Sequence, residues 1–297
     1  MKQRNIYYNS TFDRMIDTFV YSLSIVIIAV TLYPVLYTVA LSFSNRIAVE
    51  SGQVWLYPVN ITFASYLLVF RHPLIIPAYF NTIFYTVAGT TYSLFLTAMG
   101  GYVLSRRDLI GRNFFTFLIT FTMLFSGGLI PTFLVVSRLG LYDTIWAILL
   151  TGAISQWNLI IVRTSMKAIP TSLEESAKID GASHWQVFTR IYIPLSKPVL
   201  ATIGLFYAVG RWNDFFTALI YLNRSKLFPV QLVIRGLLTG MDTMNVEQSM
   251  VGGGVGSFTP TTFKAAVVVV TMLPIMCVYP FIQKYFVKGV MIGAIKG

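Results

Sequence analysis

Two groups of polar side chains stand out in an otherwise strongly apolar chain, and both could take part in chemistry. The first lies inside an apolar run and contains Arg211, Trp212, Asn213 and Asp214. A helix would place Arg211 and Asp214 on one face, and charges in such a run usually face each other or a water-filled cavity. The spacing leaves two interpretations open. The two side chains form an ion pair that locks the helix, or they line a pathway and bind hydroxyl or carboxylate groups of a solute.

The second group is the segment EESAKIDGASHWQVFTRIYIPL, which separates two apolar runs. Ser172 and Glu175 have the spacing of a capping box, which predicts a helix that begins at Ser172. Gly181 is expected to end that helix in a left-handed conformation. Ser183 and Gln186 repeat the capping pattern, so a second short helix is predicted after the glycine.

This pair of short helices cannot fold alone, because isolated helices of this length are marginal in water. Trp185 and Phe188 are predicted to share one face of the second helix, and Pro194 is expected to begin the next apolar helix. The residues themselves leave two settings open for the pair: an amphipathic loop resting on lipid, or a segment that docks in a groove of a partner protein.

Sequence patterns for catalysis do not occur in this chain. It contains no G-x-x-x-x-G-K-[ST] loop for ATP, no H-E-x-x-H and no G-x-S-x-G. A single cysteine, Cys277, excludes an internal disulfide and a cysteine metal cluster. We therefore expect no catalytic residue, no metal site and no cofactor in this chain.

Composition places the chain in a membrane. Of its 297 residues, 56% are hydrophobic and only 11% are charged, with a mean hydropathy of +0.70, whereas a soluble domain has about a quarter charged residues. We predict an all-α membrane protein with one domain over residues 1–297 and six apolar spans of about 20 residues each. The predicted spans are Thr18–Phe43, Asn81–Leu104, Phe114–Val136, Leu141–Val162, Pro194–Leu222 and Phe263–Tyr285.

The distribution of basic residues predicts the orientation. With the N-terminus inside, 14 of the 22 lysines and arginines lie in inside segments and 7 in outside segments. Because cytoplasmic loops of membrane proteins are enriched in these residues, both termini and the polar segment 172–192 are predicted to be cytoplasmic. The net charge of +11 then reflects membrane-flanking residues, and no nucleic-acid partner is expected.

The polar segment resembles the EAA loop of ABC importer permeases. Glu175-Ser176-Ala177, Gly181 and Ile191-x-Ile193-Pro194 follow the family pattern E-A-A-x3-G-x9-I-x-L-P, with Ser176 for alanine and Ile193 for leucine. In that family the loop is the coupling helix, which fits a cleft on the ATP-hydrolysing subunit. The resemblance implies ATPase-coupling residues at Glu174, Glu175, Ser176, Ala177, Asp180, Gly181, Trp185, Phe188, Ile191 and Pro194.

The resemblance extends over nearly the whole chain. The segments 126–132 (SGGLIPT), 211–214 (RWND) and 279–297 are similar to carbohydrate-uptake permeases related to the shorter membrane subunit of the maltose transporter. The most similar branch is identified as the oligosaccharide and aldouronate, lipoprotein-associated permeases. This implies the type I ABC importer permease fold in a bacterial cell membrane, with the pathway at 211–214 and the sugar as substrate.

The resemblance also implies partners. They are a second homologous permease forming a heterodimer, two ATP-binding subunits that hold ATP and Mg, and an extracellular solute-binding lipoprotein. A loop with Gly252, Gly253, Gly254 and Gly256 is implied to reach the binding protein, and a tail ending in Lys296 and Gly297 to reach the ATPase. From the residues alone, the loop is equally a flexible connector and the tail a frayed terminus.

A proton-coupled secondary transporter is the alternative function. Such carriers usually have internal repeats and buried carboxylates near the middle of the membrane. Only Asp214 meets the second condition, and no repeat is evident. Uptake that stops when the proton gradient collapses would favour this class over an ATP-driven importer.

Overall fold

The structure is a computed structural model that describes residues 11–243 and 259–294. The regular elements of these residues are helical, which agrees with the predicted all-α class. The chain divides into two compact units, Met1–Arg71 with Gly240–Met272 and His72–Thr239 with Leu273–Gly297.

The first unit contains α1 (Thr11–Phe43), α2 (Arg46–Glu50) and α3 (Ala64–Arg71). Its small core consists of Ala40, Leu41, Ala48, Val54 and Ala265. The Ser42 hydroxyl lies 2.7 Å from the Tyr66 hydroxyl, which joins α1 to α3. Phe63, Leu67 and Phe70 are exposed, and such exposed apolar side chains are suited to a membrane surface.

The second unit is built around the 31-residue helix α4 (Ile75–Ser105). It continues through α5 (Arg112–Leu124), α6 (Leu129–Arg138), α7 (Ile145–Leu150), α8 (Gln156–Lys167), α9 (Thr171–Ile179) and α10 (His184–Val187). A π-helical turn (Phe188–Tyr192) and α11 (Ile193–Leu195) lead to α12 (Lys197–Asn213) and α13 (Phe216–Tyr221). A 3-10 turn (Ser225–Leu227) precedes α14 (Val230–Thr243), and α15 (Pro260–Ala294) ends the described chain. Residues 240–243 of α14 and 260–272 of α15 belong to the first unit.

Helix α4 packs against α8 and α12, and their contacts form the main core of this unit. The core contains Ala98 and Tyr102 of α4, Val162 and Met166 of α8, and Ile203 of α12, all at most 6% exposed. Many large apolar side chains elsewhere are exposed, such as Phe19 at 67% and Phe117 at 65%. Exposure on this scale is expected where lipid, rather than water, surrounds the helices.

Two described helices are long and apolar enough to cross a membrane, and the number rises to five when each bent helix pair counts as one span. The predicted first, second and sixth spans lie within continuous helices, α1, α4 and α15. Each of the other three predicted spans is interrupted in the structure. The third breaks at residues 125–128 with a bend of 116°, the fourth at residues 151–155, and the fifth at Asp214.

These breaks have local causes in the sequence. Gly128 has a φ of +83°, and Gly152 has a φ of +67°, a region that glycine enters without the steric penalty of a side chain. At the third break, Asp214 leaves the helix with a ψ of 108°. Such breaks are tolerated at membrane depth only where protein groups satisfy the freed backbone.

Candidate functional site

The polar segment forms the predicted pair of short helices with a glycine between them. Helix α9 ends in a Schellman arrangement, because the Gly181 N–H donates to the Lys178 carbonyl (3.0 Å) and the Ala182 N–H to the Ala177 carbonyl (2.9 Å). Gly181 has a φ of +78°, so the predicted left-handed position is confirmed. The chain turns here, at the glycine reversal, and enters α10.

One of the two predicted capping boxes forms. The Gln186 N–H donates to the Ser183 hydroxyl, and the Ser183 N–H donates to the Gln186 side chain over 2.7 Å, so the second box is confirmed. The first, at Ser172, was wrong, since α9 begins one residue earlier at Thr171 and follows Pro170 as its cap residue. Ser172 therefore lies inside the helix, where it has no cap position to fill.

The end of the segment also differs from the prediction. Pro194 does not begin the fifth span but lies in α11, and α12 begins at Lys197 after a bend of 82°. Pro198 stands in the first turn of α12, where its missing N–H needs no partner. The bend gives the segment from α10 to α11 a direction different from that of α12.

The pair of helices has an inner and an outer face. Glu175, Ser176, Asp180 and Gly181 are exposed, and Trp185 is 55% exposed. Glu174 and Phe188 are buried, at 8% and 4% exposed. Ala177 and Ile191 are half-buried, while Pro194 is exposed. The ten residues predicted for ATPase coupling are thus on one loop, but Glu174 and Phe188 do not face outward.

Phe188 holds the second helix against α4 through aromatic contacts. Its ring centroid lies 5.2 Å from that of Tyr102 and 5.4 Å from that of Trp185, which confirms that Trp185 and Phe188 share a face. Tyr192 packs edge-on against Tyr102 with a centroid distance of 4.8 Å. The inner face of the loop is therefore attached to α4 by tilted and edge-on aromatic contacts.

Glu174 lies at the centre of a charged network on this inner face. Its carboxylate accepts a hydrogen bond from the Tyr192 hydroxyl (3.0 Å) and lies 2.9 Å from the Lys178 ammonium and 3.5 Å from the Arg106 guanidinium. Arg106, which is 11% exposed at its side chain, also contacts Asp108. Arg106 therefore bridges the carboxylates of two segments.

The electrostatics of this network favour the charged carboxylates. Burial opposes ionisation of Glu174, but Lys178, Tyr192 and Arg106 together outweigh burial and lower the pKa of its carboxyl. The Arg106 hydrogen bond lowers the pKa of Asp108 to about 2. Burial and the neighbouring Glu174 raise the pKa of Tyr192 to about 12. At neutral pH, Glu174 and Asp108 are therefore charged carboxylates. The Tyr192 hydroxyl stays protonated and donates its hydrogen bond to Glu174.

A groove of about 320 Å³ runs beside the glycine reversal. It is lined by both helices, including Ala177, Gly181, Gln186 and Arg190. An added Cβ at Gly181 would meet no atom within 4 Å, so the space next to the glycine is open. A side chain of another protein could enter here without displacing any part of the loop.

Arg211 does not form the ion pair that one interpretation predicted. Its guanidinium donates to the carbonyls of Ile148 (2.6 Å) and Leu149 (3.1 Å) and to the Ser93 hydroxyl (3.2 Å). In a continuous helix those two carbonyls would bind the N–H groups of residues 152 and 153, but α7 ends at Leu150. The break in the fourth span deprives these two carbonyls of their helical N–H donors, and the Arg211 guanidinium donates to them instead.

Tyr207, one turn before Arg211 on α12, serves the other side of the same break. Its hydroxyl accepts a hydrogen bond from the Ser155 N–H (3.0 Å) and lies 2.7 Å from the Thr97 hydroxyl. Ser93 and Thr97 are likewise one turn apart on α4. Two side chains of α12, each bound to a hydroxyl of α4, thus hold both edges of the break.

The other three predicted pathway residues are differently placed. The Asp214 carboxylate accepts the Thr217 N–H (3.0 Å) and so joins α12 to α13, and the Asn213 amide donates to the Val209 carbonyl (2.9 Å). The Trp212 indole N–H is buried and finds no acceptor among the described residues. Gly252, Gly253, Gly254 and Gly256, together with Lys296 and Gly297, lie outside the described residues.

Sequence reasoning missed three residues that organise the site: Arg106, Tyr192 and Tyr207. Arg106 was counted only as a membrane-flanking charge. Tyr192 occupies the unspecified position of the pattern Ile191-x-Ile193-Pro194, and Tyr207 lies in an apolar stretch where an aromatic residue attracts no attention. Their partners are distant in the chain, 68 residues from Arg106 to Glu174 and 110 from Thr97 to Tyr207. Only the packing of the helices reveals the pairs.

Comparison with known proteins identifies the class. Residues 93–292 match the family described as binding-protein-dependent transport system inner membrane component. The chain therefore belongs to this family, which comprises permease subunits of ABC importers, and the predicted resemblance is confirmed. It is a multi-pass protein of the cell membrane without a catalytic role of its own.

Individual relatives are similar over nearly their whole length. The chain is 44% identical over 286 residues to the polygalacturonan/rhamnogalacturonan transport system permease protein YtcP of Bacillus subtilis (strain 168), which covers 96% of this chain and 99% of YtcP. It is 45% identical over 269 residues to Protein LplC of the same organism, covering 91% and 90%. A crystal structure of a bacterial ABC transporter involved in the import of the acidic polysaccharide alginate contains a chain that is 36% identical, with a TM-score of 0.88 and coverage of 94% and 99%.

Proposed function

We propose that this chain is a permease subunit of an ATP-driven importer whose substrate is an acidic oligosaccharide. The observation that supports this most directly is the chemistry shared by two similar proteins. The YtcP name specifies polygalacturonan and the solved transporter imports alginate, and both polymers consist of uronic acids with one carboxylate on each sugar. A relative at 44% identity and a structure at 36% identity thus indicate the same substrate class.

The chain crosses the membrane six times in this proposal, with both termini in the cytoplasm. The excess of lysine and arginine in the inside segments supports this orientation. The breaks in three spans are compatible with it, because Arg211, Tyr207 and Asp214 bind the backbone groups at two of the breaks. Such satisfied breaks occur in membrane proteins where the backbone borders protein or a cavity.

The exposed face of α9 and the glycine reversal dock on an ATP-binding subunit. Glu175, Ser176 and Asp180 offer polar groups on this face, and the open groove next to Gly181 accepts a side chain of the ATPase. Two ATP-binding subunits bind the loops of this chain and of a second, homologous permease. When ATP binding closes the ATPases, the two loops move together and the pathway opens outward.

The solute passes along the broken spans, with Trp212 and Asn213 nearest to the break at Asp214. Arg211 supports the wall of this pathway, since its guanidinium is already bound to three protein groups. An extracellular binding lipoprotein delivers the oligosaccharide, and the glycine-rich loop at residues 252–256 contacts it. The tail ending in Lys296 and Gly297 reaches the ATPase.

Transport into proteoliposomes tests this function. The complete importer is reconstituted with its binding protein, ATP is supplied to the ATPases, and a protonophore is added. We expect ATP-dependent uptake of an oligogalacturonate to continue in the protonophore. The same oligomer with methyl-esterified carboxylates, which is neutral and of equal length, is the matched control and should be taken up poorly. Equal uptake of both would reject the acidic substrate class, and loss of uptake with the proton gradient would reject ATP-driven transport.

A further inference from the structure

The two adjacent glutamates of α9 face opposite ways. Glu175 is exposed, whereas the Glu174 side chain is only 10% exposed and lies between Arg106, Lys178 and Tyr192. Arg106 belongs to the end of α4, Lys178 to the same helix as Glu174, and Tyr192 to the π-helical turn after α10. The carboxylate of Glu174 thus contacts the end of α4 and the π-helical turn as well as its own helix.

We propose that Glu174 and Arg106 form a joint that makes the loop and α4 move as one body, so that displacement of the loop reaches the broken spans. This inference rests on the proposed function of the loop in ATPase docking. Glu175 contacts the partner on the outer face, and Glu174 transmits the movement on the inner face. Glu174 is a positioning residue and touches neither the solute nor ATP.

Arg106 is suited to this joint by its location and its contacts. It follows directly after the last residue of α4, and its guanidinium lies 3.2 Å from the Tyr102 hydroxyl, 2.6 Å from the His184 ring and 3.5 Å from Glu174. One planar side chain therefore binds α4, α9 and α10 at once. A lysine could not make this set of contacts, because it lacks the fork of donors.

Helix α4 connects the joint to the translocation machinery. Along its length it packs against α8 and α12, and its Ser93 and Thr97 bind Arg211 and Tyr207 at the break in the fourth span. A shift of α4 by the loop would therefore act on the two side chains that hold this break. Coupling through packed, hydrogen-bonded elements of this kind is how sites far apart influence each other.

Apolar packing keeps the loop folded without the joint. Val187, Phe188 and Tyr192 are at most 4% exposed and pack in one core with Tyr102 and Met166. Removing the charge of Glu174 should therefore leave the loop attached but loosen its orientation. This separates a role in coupling from a role in folding.

The test substitution is Glu174→Gln in the reconstituted importer. Glutamine keeps the shape and can accept the Tyr192 hydrogen bond, but its amide cannot pair with both Arg106 and Lys178. We expect ATP hydrolysis stimulated by the binding protein to persist, while the number of solutes transported per ATP falls about tenfold or more, as for the loss of a charge-assisted hydrogen bond. Glu50→Gln, at the exposed Arg46–Glu50 pair, is the matched control and should behave like wild type.

Glu175→Gln separates the two faces of the loop. This variant should weaken the association of the ATPase with the permease and lower hydrolysis and transport together, so that transport per ATP is unchanged. If Glu174→Gln gave that same parallel loss, or no loss, the joint would be rejected. The wild-type importer must transport in the same assay, since its failure would contradict the proposed function rather than the joint.

A covalent replacement of the ion pair provides the second test. Arg106→Cys with Glu174→Cys, in a Cys277→Ser background, should be uncoupled as free thiols. Both positions line an open cavity of about 200 Å³, so a short cross-linker with two methanethiosulfonate groups can enter and form a disulfide with each thiol, releasing sulfinate. Cross-linking should restore transport per ATP to at least half the wild-type value. An uncoupled, fully cross-linked protein would overturn the proposal.

Discussion

Arg211 illustrates how a charge inside a membrane span can be used for structure. It lies on α12 but binds the carbonyls of Ile148 and Leu149, which the end of α7 leaves without helical partners. Gly89 on α4 makes room for it, because a Cβ at that position would lie 2.5 Å from the Arg211 side chain. The absence of a side chain at Gly89 therefore leaves the space through which Arg211 reaches the carbonyls at the end of α7.

Replacing Arg211 should destabilise the permease itself. In Arg211→Gln, each carbonyl left without a donor costs about 1–3 kcal/mol, so we expect a lower thermal unfolding temperature in detergent. Arg211→Lys should be intermediate, since an ammonium lacks the fork that reaches both carbonyls. Gly89→Ala should resemble Arg211→Gln because it displaces the same side chain. Unfolding of the purified permease, followed by intrinsic tryptophan fluorescence, measures all three.

Two further variants make this prediction specific. Gly210→Ala is the control for the glycine, because a Cβ there would meet no atom within 4 Å, and its unfolding temperature should not fall. Arg211→Gln combined with Asp214→Asn should be no more stable than Arg211→Gln alone, since Asp214 binds the Thr217 N–H and not the guanidinium. Recovery in the double variant would show that the two charges form an ion pair after all.

At the scale of elements, the reversal between α9 and α10 determines how the loop is presented. Gly181 combines a φ of +78° with open space around its Cα, so strain and bulk can be separated by substitution. A non-glycine residue in this region costs about 1–2 kcal/mol, and asparagine tolerates it better than leucine or alanine.

We expect transport to decrease in the order Gly181→Asn, Gly181→Ala, Gly181→Leu. Alanine introduces backbone strain without bulk, whereas leucine introduces strain and also occupies the groove of about 320 Å³. All three should insert normally, because insertion depends on the apolar spans. Uptake rates and the amount of ATPase that co-purifies with each variant are the measurements. Wild-type uptake by Gly181→Leu would contradict docking of a partner at this groove.

At the scale of the whole molecule, two regions of the second unit are expected on opposite sides of the membrane. The glycine reversal is connected to the basic end of α4, while Asp143 and Arg224 form an exposed ion pair between the segment before α7 and the one after α13. The proposed topology assigns the first region to the cytoplasm and the second to the outside.

Thiol labelling in intact cells tests this topology. With Cys277→Ser as background, a cysteine at Ser225 should react with a membrane-impermeant maleimide, since Ser225 is exposed next to the Arg224–Asp143 pair. A cysteine at Ser176, exposed on α9, should react only after the membrane is permeabilised, in cells that express the permease without its ATP-binding subunits. The opposite pattern would invert the orientation that the lysine and arginine counts predict.

The sequence by itself determined the class of this protein, because composition and local spacing are sufficient for it. An apolar content of 56% with 11% charge requires a membrane, and the pattern from Glu175 to Pro194 predicts the short helices and the glycine between them. The Ser183–Gln186 box and the conformation of Gly181 are confirmed, since each depends on residues within one turn of one another.

Only the tertiary structure decided how the spans break and what each charge binds. The partners of Arg211 are 62 to 118 residues away, and Glu174 meets Arg106 across 68 residues, so local spacing contains no information about either contact. The spacing of Arg211 and Asp214 suggested an ion pair, but α12 ends between them and gives each a backbone partner. In a membrane, unsatisfied carbonyls and N–H groups are costly. The packing of α4, α7 and α12 therefore brings Arg211 and Tyr207 to the backbone groups that the break leaves without helical partners.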